Sequence, residues 1–340
     1  MISIGVVFYK ESKAEIILFL EHLEAAVANA QCAKGHIEEF IFVQNSNDEV
    51  LNIFLKEKLN YFSEKFEFLK ISFIQNTTNN IGLARKLIID RSSAEWVYLT
   101  DPDVLIQRLS LTNLINEIAL VKDKKCYGIT GTIDQKSSCE LLNEVFRVLN
   151  WTGRFLHLAF QGSSKKIGSF VDHAPTAHLL LNKSLVHSLG NFSAILKNCG
   201  EDLDLTHRAT QNDLFIYFGS SQVTHQQNFE FNHAVKKFFD YGQAQAWVFI
   251  KNGFCRRRIY RLIPAAGVFA ILAGASIATK VAVKIAVIIF LSVLLLKPQI
   301  IFMFFAITTY GLGTVYGFTL ELNSLIARTL FRQKAKKSFQ

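Results

Sequence analysis

The sequence predicts an α/β fold with a mainly parallel sheet, followed by a C-terminal membrane region. Short apolar runs bounded by polar turn residues are typical of buried strands. They lie at 2–8, 39–43, 70–74 and 96–99. Segments with the helical spacing of Ile, Leu and Phe separate them, at 13–30, 48–62 and 81–89. Strands that alternate with helices at this interval form βαβ units, whose strands are parallel.

The second half of the globular region has a more mixed pattern. A strand is predicted at 127–132, and a longer run extends over 168–181. Gly200–Leu205 opens a helix with its acids in the first turn, where the helix dipole favours them. Residues 213–223 predict a final strand that ends at His225.

The positive charge of the chain is concentrated near its C-terminus. The net charge is +9, but residues 251–340 hold 13 of the 37 lysine and arginine residues and a single acid, Glu321, which gives that segment a charge of +12. Residues 1–250 are left with −3. The basic segment is also the apolar one, which agrees better with a membrane surface than with a nucleic-acid groove. We therefore expect no nucleic-acid partner.

Cysteine usage and the N-terminal residues predict a cytoplasmic location for the globular part. The five cysteines are scattered, odd in number and without metal-ligand spacing, which indicates reduced thiols. The first predicted strand begins at Ile2, so we expect no signal peptide before the fold.

Residues 262–320 are the predicted membrane region. Segments 262–279 and 299–320 each have about the length, roughly 20 residues, that a helix needs to cross a bilayer. A shorter apolar segment, 285–296, is open to three interpretations: a third span, a re-entrant piece or an interfacial helix. Basic residues flank the region on both sides, so the positive-inside rule places both flanks in the cytoplasm and predicts two crossings. Core helices of a soluble protein are the alternative.

The chain is therefore predicted to have four parts. They are a globular domain at 1–228, an amphipathic and basic juxtamembrane segment at 229–261, the membrane region at 262–320 and a basic tail at 321–340. Such a chain is a multi-pass protein of the cytoplasmic membrane whose globular domain and tail face the cytoplasm.

Two aspartates follow the apolar run Trp96–Leu99 and land at the carboxyl end of a predicted strand. Parallel sheets of this class bind their ligands at that edge. Asp101 and Asp103, one residue apart, can hold a divalent cation and leave positions for phosphate oxygens and water. Taken alone, Asp101-Pro102-Asp103 is more often a turn.

Two further segments offer groups that complete such a site. Glu201-Asp202 opens a helix, and a carboxylate there can accept the proton of an attacking hydroxyl as general base. Capping of the helix is the structural alternative. His225 at a strand end can complete the coordination of a cation, although a surface histidine gives the same pattern. Asp204 and Arg208, one turn apart, predict a helical ion pair.

Four segments of the chain form an ordered series. They are Asn80-Ile81-Gly82-Leu83-Ala84-Arg85, Trp96–Asp103, Gly200–Leu205 and Val223-Thr224-His225. This series resembles the family-2 glycosyltransferases of the GT-A fold. In that family an Asn-x-Gly segment packs under the donor, an Asp-x-Asp follows a strand, and a Glu-Asp supplies the base. The resemblance covers residues 2–250, and segment 229–242 looks like an aromatic helix that some bacterial members carry before their membrane segments.

The resemblance implies a role for each matched residue. Asp101 and Asp103 would bind Mn²⁺ or Mg²⁺ with His225 as third ligand, and Asp202 would be the catalytic base. The nucleotide-sugar donor would be bound by Phe8, Tyr9, Gln44, Asn80, Gly82, Arg85 and Asp101.

Gln44 departs from the family pattern. It stands where the family usually has an aspartate that bonds a pyrimidine base. A neutral amide can still bond such a base, because it both donates and accepts. The identity of the nucleotide therefore stays open.

The implied reaction is a metal-dependent, inverting transfer of one sugar from a nucleotide-sugar donor. The QxxRW motif of processive polymer synthases is absent after His225, which favours single-sugar addition. The adjoining membrane region suggests a lipid-linked or membrane-proximal glycan acceptor, as in the synthesis of cell-envelope polysaccharide or glycolipid.

Two alternative functions belong to other classes of protein. A sugar-phosphate nucleotidyltransferase would need a Gly-rich, basic loop for a triphosphate after the first strand, and Phe8-Tyr9-Lys10-Glu11-Ser12 has no glycine run. The other alternative is a membrane-anchored assembly subunit whose site has decayed.

Overall fold

A computed structural model describes residues 1–32, 37–122, 124–137, 166–196, 198–226, 231–255 and 308–320. The chain divides into two compact units. The first is Met1–Ser138 with Ala159–Asn228, and the second is Cys139–Leu158 with Phe229–Gln340.

The described part of the first unit is a sheet with helices on both faces. The strands are β1 Ile2–Phe8, β2 Ile37–Gln44, β3 Lys70–Gln75, β4 Trp96–Thr100, β5 Val104–Ile106, β6 Cys126–Lys136, β7 Ser169–Val171, β8 His178–Asn182 and β9 Phe215–Gln226. The helices are α1 Lys13–Cys32, α2 Glu49–Lys65, α3 Ile81–Arg91, α4 Ser110–Val121, α5 Lys183–Ser188 and α6 Glu201–Gln211. The strands and helices predicted in the first half are confirmed, with ends that differ by a few residues.

The sheet is mixed, so the prediction of a mainly parallel sheet is wrong for its second half. The strand order is β3-β2-β1-β4-β8-β6-β9-β5, and β7 also pairs with β9. Strands β1 to β4 are mutually parallel, whereas β8 is antiparallel to both β4 and β6, and β5 and β7 are antiparallel to β9. A parallel return needs a crossover of a dozen or more residues. Only the short turn Asp101–Asp103 separates β4 from β5, so β5 cannot lie parallel beside β4.

The core lies on both faces of the sheet, because successive side chains of a strand point to opposite faces. On one face Phe8 packs with Phe19 of α1 and Phe42 of β2. On the other face Val7 and Ile88 of α3 belong to a second cluster. Strands buried on both faces read as continuous apolar runs, which is why β1, β2 and β4 were recognisable in the sequence.

The second unit contains α7, Phe231–Asn252, and a helix at 308–320, named α8. These helices approach closely at glycines. A Cβ on Gly242 would lie 2.1 Å from the carbonyl oxygen of Tyr310, and one on Gly313 would lie 2.1 Å from that of Phe239. The rings of Phe239 and Tyr316 pack beside this crossing, at 5.6 Å between centroids.

Most of the predicted membrane region lies outside the described residues. This applies to 262–279, to 285–296 and to the first part of 299–320, whose remainder is α8. Within the described part of the chain, no helix is both long enough and apolar enough to cross a bilayer.

Candidate active site

The carboxyl ends of β1, β2 and β4 meet at one edge of the sheet because these strands are parallel. Asp101 follows the last residue of β4. Its carbonyl oxygen accepts a hydrogen bond of 3.1 Å from the N–H of Val104, which closes a tight turn. Asp101-Pro102-Asp103 is therefore a turn, as the tripeptide alone suggests, and this turn presents two carboxylates at the edge.

Asp103 and His225 are neighbours across the pair of β5 and β9. The register places Val104 opposite His225. The Nε2 atom of His225 lies 3.0 Å from Oδ2 of Asp103, and the N–H of Gln226 donates to the carbonyl oxygen of Asp103 at 2.7 Å. The structure thus brings together two of the three predicted cation ligands, although 122 positions separate them in the chain.

Arg85 connects the aspartate turn with α6. Its Nη2 donates to both oxygens of Asp101, at 2.9 and 3.1 Å, and its Nη1 forms an ion pair with Glu201. The side chains of Arg85 and Glu201 are 5% and 4% exposed, while that of Asp101 is 23% exposed. The second oxygen of Glu201, Oε2, is buried and has no hydrogen-bond partner among the described residues.

Helix α6 begins in the way that the sequence predicts. Gly200 has φ +88°, a left-handed conformation that glycine adopts without strain, and the helix starts at Glu201. Asp202 is half-buried, and its Oδ1 accepts a bond of 2.7 Å from the N–H of Leu203. Asp204 pairs with Arg208 at 2.6 Å, so the predicted helical ion pair is confirmed.

Glu11 is a third acid at the same edge. One of its oxygens accepts a 2.7 Å bond from the N–H of Tyr9. Burial, and then the negative charges of Asp103 and Asp101, raise the pKa of Glu11 to about 7 against the lowering effect of that hydrogen bond. Glu11 thus lies close enough to both aspartates of the turn for their charges to act on it.

A cavity of about 460 Å³ opens at the ends of β1 and β2. It is lined by Lys10, Glu11, Ser46, Asn47, Asp48, Leu51 and Asn79. Gln44 lies next to this cavity but is fully buried, and its Nε2 donates to the carbonyl oxygen of Asp48 at 2.7 Å. Asp48 in turn caps α2 by accepting from the N–H of Leu51.

The other residues predicted to bind the donor are Asn80, Gly82, Phe8 and Tyr9. Asn80 caps α3 through Leu83 and also donates to the carbonyl oxygen of Ala194. A Cβ on Gly82 would lie 2.1 Å from the carbonyl oxygen of Ser193, so this glycine permits close packing of α3 on a loop. Phe8 is fully buried in the core, whereas Tyr9 is 40% exposed at the edge.

Two further histidines, His173 and His178, have local partners. His173 lies 3.0 Å from the hydroxyl of Thr206. His178 is fully buried beside Tyr98, and burial lowers its pKa to about 3, so it is neutral.

Asp101 and Asp103 suit a cation whose coordination is completed by substrate oxygens and water. In the described residues no three His, Cys, Asp or Glu side chains are arranged to hold a metal ion. Magnesium sites are commonly built from one or two carboxylates together with substrate phosphates and water. Two carboxylates in one turn supply the hard oxygen ligands that such a site needs.

Some residues of the site had no predicted role. Glu11, three residues after β1, is one of the polar residues that the sequence places at a predicted strand end. The Arg85–Glu201 pair has no such signal, because only the fold brings the two residues together. Ser46, Asn47 and Asp48 follow β2 and share the strand-end signal.

Comparison with known proteins supports the fold. No protein-family model and no curated protein sequence matches the chain. The structure of the mannosyltransferase PcManGT from Pyrobaculum calidifontis, in complex with GDP-Man and Mn²⁺, matches with a TM-score of 0.65 and 14% identity, over 94% of this chain and 87% of that one. GalNAc-T7 with UDP, GalNAc and Mn²⁺ matches with a TM-score of 0.50 and 12% identity, over 72% of this chain and 50% of that one. The chain therefore has the fold of GT-A glycosyltransferases, which the resemblance of its motifs implied.

Proposed function

We propose that the protein is a metal-dependent glycosyltransferase that uses a nucleotide-sugar donor. The main support is that Asp101 and Asp103 lie with His225 at the ligand edge of a GT-A sheet, and that Arg85 links Asp101 to the helix that bears Asp202. Both similar structures hold Mn²⁺, one with GDP-Man and the other with UDP and GalNAc.

The donor binds at the ends of β1 and β2 in this proposal. The cavity there offers hydroxyl, amide and carboxylate groups from Ser46, Asn47 and Asp48, which suit the hydrogen-bonding edges of a base and a ribose. Tyr9 is exposed beside it, and Gln44 supports the loop that carries Asp48. The diphosphate then extends toward Asp101 and Arg85, and Arg85 has the planar fork that matches phosphate oxygens.

Asp101 and Asp103 would hold Mn²⁺ or Mg²⁺, with His225 as a further ligand. When bound there, the cation would supply positive charge against the negative charge that develops on the departing nucleoside diphosphate. The remaining chemistry needs one protein base. Asp202 accepts the proton of the acceptor hydroxyl while that oxygen attacks the anomeric carbon from the side opposite the diphosphate. A single displacement with one base inverts the configuration at that carbon.

The acceptor is a lipid-linked or membrane-proximal glycan. Support for it comes from the sequence: the apolar segments of 262–320 have basic flanks and adjoin the catalytic domain. We place the protein in the cytoplasmic membrane with its catalytic domain on the cytoplasmic side, where it adds single sugars to a cell-envelope polysaccharide or glycolipid precursor.

Sugar transfer to membrane lipids tests the proposal. The full-length protein is incubated with a panel of radiolabelled nucleotide sugars, Mn²⁺ and a lipid extract. The products are separated by chromatography, and their anomeric configuration is determined by NMR. We expect one donor to label a lipid with inverted configuration and no labelling in EDTA. A retained configuration would exclude the single displacement, and labelling that is unaffected by EDTA would exclude the metal.

A further inference from the structure

Arg85 serves two acids that belong to different motifs. On one side its Nη2 bonds both oxygens of Asp101, and on the other its Nη1 pairs with Glu201. The guanidinium is almost fully buried, so it cannot turn into solvent and release both partners.

The two partners differ in how firmly they hold Arg85. Glu201 is buried, and its Oε2 atom has no hydrogen-bond partner in the described part of the chain, so Arg85 is the cation that compensates its charge there. An unpaired carboxylate in such a place is strongly destabilising. Asp101 is about a quarter exposed and can be solvated or bound by another cation. Arg85 must therefore stay with Glu201, whereas its bond to Asp101 can be exchanged.

The exchangeable bond between Arg85 and Asp101 affects how a cation binds to Asp101. Without a donor, a divalent cation on Asp101 would compete with the guanidinium for the same two oxygens, and two positive groups would lie near each other in a partly buried site. A nucleoside diphosphate changes this balance, because its oxygens can bind the cation and also accept the N–H groups that Arg85 withdraws from Asp101.

We propose that Arg85 is a positioning residue that couples cation binding to donor binding. It keeps the affinity of the donor-free site for divalent cations low, and it strengthens binding of the cation together with the nucleoside diphosphate. Because coupling is reciprocal, the cation must raise the affinity for the nucleotide by the same factor. This inference rests on the proposed function, since it takes the donor to be a nucleoside diphosphate sugar.

Calorimetric titration of the full-length protein tests the coupling. Mn²⁺ is titrated alone and in the presence of saturating UDP or GDP, whichever binds. In the unmodified protein we expect the nucleotide to raise the affinity for Mn²⁺ about 10-fold or more. Equal Mn²⁺ affinities with and without nucleotide would overturn the inference directly, without any variant.

Two charge-removing variants and one charge-preserving control identify Arg85 as the cause. Arg85→Gln should bind Mn²⁺ alone about 10-fold more tightly and lose most of the coupling, while Arg85→Lys should keep Mn²⁺ binding weak. Since Arg85→Gln leaves Glu201 unpaired, the double variant Arg85→Gln with Glu201→Gln provides the same test without a buried lone charge. A merely structural arginine would give variants that bind Mn²⁺ equally or less tightly, and that result would contradict the inference.

Failure of the inference is distinguishable from failure of the proposed function. A protein that binds no nucleotide in Mn²⁺ would contradict both. A protein that binds nucleotide with Mn²⁺, and whose folded Arg85→Gln variant retains full coupling, would contradict only the role of Arg85.

Discussion

The side chains at the sheet edge have different contacts and, in the proposed reaction, different roles. Asp101 and Asp103 provide carboxylates in one turn, Arg85 fixes the first of them, and His225 lies against the second. Asp202 belongs to another element, helix α6, where it is half-buried. The assignments to cation and base therefore make separate predictions.

Asp202→Asn should strongly slow sugar transfer while donor binding is retained. Removal of a general base typically costs about 100-fold to 10,000-fold in rate, and the amide preserves the size of the side chain. Transfer rates and calorimetric donor affinity would be measured on the same preparation. Asp213→Asn, just after the end of the same helix at a φ of 54° that asparagine also adopts, is the matched control. A normal transfer rate in folded Asp202→Asn would remove this residue from the mechanism.

Glu11→Gln should stabilise the metal-free protein at pH 8. The pKa of Glu11 in the folded protein, about 7, lies above its ordinary value of 4.5. Below that ordinary value the carboxyl is protonated in both states. As the pH rises from about 4.5 to 7 the unfolded chain loses its proton first, so stability falls, and above pH 7 the full cost is present.

Urea unfolding in EDTA measures this effect. We expect Glu11→Gln to raise the free energy of unfolding by about 1–2 kcal/mol at pH 8, with allowance for the partial exposure of the side chain, and by much less at pH 5. Glu21→Gln on the exposed face of α1 should change it by less than about 0.5 kcal/mol at either pH. A gain at pH 5 as large as that at pH 8 would show that charge is not the cause.

Among the elements, α3 depends on a glycine at its first turn. A methyl group on Gly82 would lie 2.1 Å from a backbone oxygen of Ser193, which cannot move as a flexible side chain can. We expect Gly82→Ala to destabilise the protein by about 1–3 kcal/mol in chemical denaturation, with a larger loss of donor affinity than Lys86→Ala on the exposed side of the same helix. Stability equal to that of the Lys86 variant would show that the contact is not tight in solution.

The elements of the first half were predictable, and those of the second half only in part. Strands β1, β2 and β4 are buried on both faces, so their apolar runs stand out, and the helices between them follow in order. The antiparallel entry of β8 beside β4 could not be predicted, because strand direction after the turn at Asp101 depends on distant pairing. The carboxylates of the site were predictable from their place after strands. The Arg85–Glu201 pair was not, since it is made by tertiary packing alone.

For the whole molecule, the basic and apolar C-terminal segment predicts an integral membrane protein with two crossings. The full-length chain should stay with membranes after alkaline carbonate washing. Tags at its two ends should both be protease-sensitive in inverted vesicles and both protected in vesicles of the opposite orientation. Protection of only one tag would mean an odd number of crossings, and release by carbonate would contradict the spans.

We propose that Asp101 and Asp103 bind a nucleoside diphosphate through a divalent cation. Calorimetric titration of UDP and GDP into the full-length protein, with Mn²⁺ or with EDTA, measures this binding. We expect at least one nucleotide to bind in Mn²⁺, and EDTA or Asp103→Asn to weaken this binding about 10-fold or more, whereas Asp213→Asn leaves it unchanged. Nucleotide binding of equal strength in EDTA and in Asp103→Asn, or no binding of any nucleotide with Mn²⁺ present, would show that the two aspartates do not bind the nucleotide through a cation.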